Sequence, residues 1–163
     1  MEWLAGGFTT EQLWLNYLAF LPLPIILVGL YAAQRPLISY LGLVGAILYG
    51  SAFVYFAHST QFALTENITD YSALWHRLGS IYTAHGALMV IGGVAFGVAS
   101  IRAGVFPRWA SAVLLAGVCL NLLLSFVPVP EIMQTLGTAL RNAGLIGMGW
   151  SLWRAGAMSG IDE

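Results

Sequence analysis

Apolar residues run on in this chain rather than alternating with polar ones. They form five stretches of about 20 residues, and nearly all charges fall in the gaps between them. At about 1.5 Å of rise per residue, each stretch is long enough to cross the ~30 Å hydrocarbon layer as a helix. The pattern predicts an all-α polytopic membrane bundle, a single unit over residues 1–163, with spans near 13–33, 37–63, 78–101, 110–127 and 132–153. Pro22 and Pro24 should kink or loosen the first span, since each removes a backbone donor. Thr69 or Asp70 suits the cap of a helix that continues into the third span, and Pro128 and Pro130 stop the fourth. Short connections predict antiparallel hairpins between consecutive helices.

Composition strengthens this reading. Of 163 residues, 59% are hydrophobic and 8% charged, which leaves little chain for an extramembrane domain. A net charge of −1, with no lysine and scattered arginines, argues against nucleic acid as a partner. Cys119 is the single cysteine, so an intrachain disulfide is excluded. The segment before the first run lacks the positive region of a signal peptide, and the first span is expected to be retained. Arg35, Arg102, Arg108 and Arg154 fall on one side of a five-span topology. The other side carries Arg77, diluted by Glu66 and Asp70, together with Glu2, Glu11 and Glu131. The positive-inside rule therefore puts the N-terminus outside and the C-terminus in the cytoplasm. Interfacial aromatics agree, with Trp14, Tyr17, Tyr71, Trp75 and Tyr82 on the outer side and Tyr31, Tyr40, Trp109, Trp150 and Trp153 on the inner. A weak repeat fits the same topology: Gly97, Arg102 and Gly104 close the third span as Gly149, Arg154 and Gly156 close the fifth, with a looser version at Gly29 and Arg35.

Lipid supplies little hydrophobic drive between helices, so small residues and polar contacts must hold a bundle together. Gly79, Gly86, Gly93, Gly97, Ser100 and Gly104 form a bare stripe that predicts the third span at the bundle centre. Ala112 with Ala116, and Ala139 with Ala143 and Gly147, make weaker stripes.

Ionisable residues inside spans are the candidates for function. His58 and His85 lie on neighbouring antiparallel spans, each about 7–10 Å below the outer surface, with His76 just above. Two imidazoles at one level suit axial ligation of haem b, a chlorophyll magnesium, or a quinone pocket; Gly86 and Gly93 would leave room for a flat ring. Interhelical hydrogen bonding is the simpler use of both, and the Cys/His set of a zinc site is absent. Arg141 lies about 13 Å into the fifth span on a polar face with Glu131, Gln134, Thr138 and Asn142, which Asn121 and Ser125 could meet. Without an acidic partner in the spans, it is expected to look outward, to a lipid phosphate, a carboxylate on another chain, or an anionic ligand. No hydrolytic constellation or phosphate-cradling glycine loop is present, and the sequon at Asn67 is uninformative in so short a loop.

Through the turn Gly104-Val105-Phe106-Pro107-Arg108-Trp109, about the last 75 residues of the chain resemble a loose group of uncharacterised small multi-spanning bacterial inner-membrane proteins that share a Gly-x-x-Pro-Arg-Trp turn. The resemblance implies a bacterial cytoplasmic membrane and carries over no activity or site residue. The leading expectation is a non-enzymatic accessory subunit, packed against other integral subunits of a larger complex, an energy-transducing one among the candidates. A haem-, chlorophyll- or quinone-binding subunit using His58 and His85 is the first alternative. A small-solute carrier is the second.

Overall fold

The computed structural model describes residues 7–127 and 131–159, and every regular element among them is an α-helix. The first apolar run forms α1 (Thr10–Phe20) and α2 (Leu23–Ala33), and the second forms α3 (Tyr40–Thr65). A short α4 (Tyr71–Leu78) precedes α5 (Ser80–Ala103), followed by α6 (Arg108–Leu124) and α7 (Glu131–Ser159). Among the described residues, three stretches are long and apolar enough to cross a membrane: Thr10–Ala33, α3 and α5; α6 is apolar but shorter.

The prolines of the first run act at a helix start. Thr9 caps α1 through its hydroxyl, which accepts from the Gln12 amide at 3.3 Å. The helix stops at Phe20 and restarts with Pro22 as cap and Pro24 in the first turn of α2, where a missing N–H leaves no hydrogen bond unmade. Leu21 and Pro22 keep αR backbone angles, so the two helices continue one span. At the far end a tight turn, in which the Leu37 and Ile38 amides donate to the Gln34 carbonyl, precedes α3, which begins at Tyr40, three residues later than the hydropathy places it.

The third span departs from expectation. Asp70 does cap a helix, its carboxylate accepting from the Ala73 amide at 2.8 Å. That helix does not continue into the span. Gly79, at φ 51 and ψ −120, ends α4 and lets α5 begin afresh. Only glycine adopts this conformation readily. Gly104, at φ 67, is the left-handed cap of α5. Both glycines are turn residues, which removes them from the proposed packing stripe. The stops expected of Pro128 and Pro130 lie outside the described residues.

The helices pack in chain order. The α3–α5 pair forms the central hairpin, with α1 and α2 laid on α3, α6 on α5, and α7 on α6. Glycines set the closest approaches, in a register the sequence reading missed. A Cβ at Gly45 would strike the Phe96 backbone, and one at Gly92 the Tyr49 backbone. Between α6 and α7, Gly117 faces the Arg141 backbone, Gly144 the Leu114 backbone and Gly137 the Asn121 side chain. Of the predicted stripe, Gly93 lies against Val118 and Gly97 against Leu115, but Gly86 meets nothing within 4 Å. Ala112, Ala116, Ala139 and Ala143 are exposed, so those stripes do not hold this bundle together; Gly147, against Trp109 and Ala110, does.

The main core runs the length of the α3–α5 hairpin, through Tyr49, Phe53, Phe96, Leu114 and Met148. A smaller core of Leu13, Ala63, Ile68, Leu74 and Leu78 fastens α1 and α4 at the opposite end from the Gln34 turn. There the Phe8 amide donates to the Thr69 carbonyl at 2.6 Å, tying the N-terminal segment to the α3–α4 connection.

Candidate functional site

Arg141 is the residue around which polar atoms gather. Its position on α7 follows from the register that turns Gly137, Gly144 and Met148 toward α6, because residues three, four and seven apart share one helix face. Arg141 is 5% exposed. Its side chain crosses to the central hairpin, where Nη1 donates to Met89 Sδ at 2.6 Å and the guanidinium carbon lies 5.5 Å from the centroid of the Phe53 ring. Nε has no acceptor. The side chain thus turns into the bundle. This corrects the expectation that it looks outward.

Tyr49 completes the cluster from α3. It is wholly buried, its ring 5.1 Å from that of Phe53, and its hydroxyl has no hydrogen-bond partner. Its phenol end lies beside Gly93, one helical turn from Met89 on the same face of α5. One cation, one phenol and one thioether therefore meet midway along α3, α5 and α7. The acidic side chains described, Glu11, Glu66 and Asp70, all lie at helix ends, and Glu66 pairs at 3.6 Å with Arg77 on the surface. A thioether is a weak acceptor, and an aromatic face is worth about 2 kcal/mol to a desolvated cation. Against a desolvation penalty of several kcal/mol, these contacts leave the charge under-compensated.

The histidines are not brought together. His85 is 1% exposed, its ring 4.3 Å from that of Phe56 and 4.4 Å from that of Tyr82, with Nδ1 unpartnered. His58 is exposed, two residues and therefore about 200° around α3 from Phe56. His76 is exposed on α4. Aromatic rings occupy the approaches to His85, so the shared ring plane that two axial ligands require is not assembled. Among the described residues no three His, Cys, Asp or Glu side chains gather as a metal site would need.

The polar face of α7 divides. Thr138 turns toward α6, where Asn121 Nδ2 donates to its hydroxyl at 3.3 Å, so Asn121 meets α7 as expected. Ser125 does not; its hydroxyl donates to the Leu122 carbonyl of its own helix. Asn142 points away from the bundle. The side chain of Glu131 lies outside what the structure describes. Tyr49, Phe53 and Met89 were missed at the sequence level. The 4-3-4 spacing of Tyr49, Phe53, Phe56 and Thr60 was the available signal, since it marks one face of α3. Further buried polar atoms lie near the opposite end, at Gln34, Ser100 and Ser111. A shallow cavity of about 320 Å³ opens between α1 and α3, lined by Trp14, Tyr17 and Gln61, away from Arg141.

No protein family, curated protein or solved structure matches the chain.

Proposed function

We propose that this chain is a non-enzymatic integral membrane subunit, of a bacterial cytoplasmic membrane, that packs against a larger membrane complex. The observation that carries the reading is the outward face of α7. Asn142 lies exposed there between Ala139 and Ala143, with Ile146, Gly149 and Trp150 continuing the face along the helix. An amide facing hydrocarbon lacks partners for its donors and acceptor, whereas a neighbouring helix supplies them. Small residues around it allow that helix to approach closely, and a Cβ at Gly149 would meet open space.

The reading takes all five apolar runs as spans, with the N-terminus outside and the C-terminus in the cytoplasm. The 29 residues of α7 rise about 43 Å, enough to cross, and α7 packs along the apolar α6. Arg102, Arg108 and Arg154, with Arg35 in the α2–α3 turn, share the end of the bundle assigned to the cytoplasm.

Purification from native membranes tests the proposal. A stable integral partner should accompany the chain, and Asn142→Leu should release it without loss of the bundle. A monodisperse protein free of partners contradicts the reading.

A further inference from the structure

The geometry points to an oxyanion-binding site in the seam between α7 and the α3–α5 hairpin, with Arg141 as counter-charge and the Tyr49 hydroxyl as a neutral donor. The ligand chemistry is a carboxylate or phosphate oxygen. Two polar groups that are each nine-tenths or more buried have unmet hydrogen-bonding capacity in this seam, Nε of Arg141 and the hydroxyl of Tyr49. Both side chains lean on Phe53, and the phenol end of Tyr49 lies beside Gly93, one turn along α5 from Met89. An arginine fork is shaped to take two oxygens of a carboxylate or phosphate, and in a low-dielectric seam that pairing is strong.

The seam also has a movable part. Most of the backbone-close packing of α7 is on α6, with a lesser contact to α2, while it meets α5 through side chains, Arg141 to Met89. The Met89 sulfur stands where an anionic oxygen would accept. Methionine has three rotatable bonds and fills irregular gaps, so it is the side chain easiest to displace. An entering oxyanion would replace a weak acceptor with a charged one and use donors that are now idle.

The test uses the full chain in nanodiscs of zwitterionic lipid, titrated with inorganic phosphate and with dodecanoate, and compared with nanodiscs containing phosphatidylglycerol. Binding and thermal unfolding are read together. At least one anion should bind and raise the unfolding temperature, and Arg141→Gln should weaken that anion at least about tenfold, the scale of one charge-assisted hydrogen bond. Phosphate binding would indicate an aqueous oxyanion, dodecanoate alone a lipophilic carboxylate, and phosphatidylglycerol a bilayer headgroup. Dodecanol, which has the chain without the charge, should not compete. The site is refuted if no anion binds, if Arg141→Gln binds equally well, or if dodecanol binds as tightly as dodecanoate. Should Arg141→Gln fail to fold, Tyr49→Phe should weaken binding and Met89→Leu strengthen it. Affinities unchanged in both would equally refute the site.

Discussion

A guanidinium enclosed by helices has five N–H groups to satisfy, and Arg141 finds one sulfur and one aromatic face. Replacing such a charge with an apolar side chain of similar length relieves its desolvation. Arg141→Met is therefore expected to raise the stability of the purified protein by about 1–4 kcal/mol, read by reversible unfolding in detergent. A loss of comparable size would mean that the charge is paired more strongly than these contacts allow. The sequence marked Arg141 because intramembrane charge is rare, but it did not reveal the direction of the side chain. Arg141 and Asn142 were read as one polar face although neighbouring residues lie about 100° apart on a helix. One turns into the core and the other away from it. Tyr49 gave little warning, since a tyrosine in an apolar run reads as an interfacial residue until the opposing helix shows its hydroxyl buried. The His58 and His85 pairing failed for a related reason. Equal depth can be counted from sequence, while facing direction depends on which side of α3 the hairpin buries.

Whole elements were easier to read than their faces. Apolar length alone marked the three stretches long enough to cross a membrane, Thr10–Ala33, α3 and α5, and Asp70 signalled its cap through side-chain chemistry that acts within one turn. The break at Gly79 was hidden by continuity, because a glycine inside an apolar pattern fits a packing stripe as well as it fits a turn. Glycine register on α5 was ambiguous in the same way. Gly86 and Gly93 keep a tidy heptad spacing, but Gly92 makes the close approach because α3 presents backbone there. Gly92→Ala should force α3 and α5 apart and cost about 1–3 kcal/mol. Gly86→Ala, facing open space, should change stability by less than about 0.5 kcal/mol. Parallel unfolding curves in one detergent check both, and equal effects would contradict the packing described.

At the scale of the whole molecule, the bundle places four of its six arginines, Arg35, Arg102, Arg108 and Arg154, at one end and its smaller satellite core, with Arg77 paired to Glu66, at the other. That asymmetry predicts an orientation. In a Cys119→Ala background, Thr65→Cys should react with an impermeant thiol reagent in intact cells, and Ala155→Cys only after the membrane is opened. The reverse pattern would invert the topology. The helices also share their surface unequally: the α1–α2 span is less than half as buried as α3 or α5, and α7 keeps a polar amide on its outer side. The proposed subunit role, in which a neighbour covers α7, accounts for that surface, and the buried Arg141 seam is independent of it. Photo-crosslinking in native membranes tests the central claim most directly, with a benzophenone side chain substituted at Asn142 and, as a control, at the exposed Ile91 of α5. The account predicts one discrete protein adduct from position 142 and lipid adducts from position 91. Lipid adducts alone from both positions would contradict it.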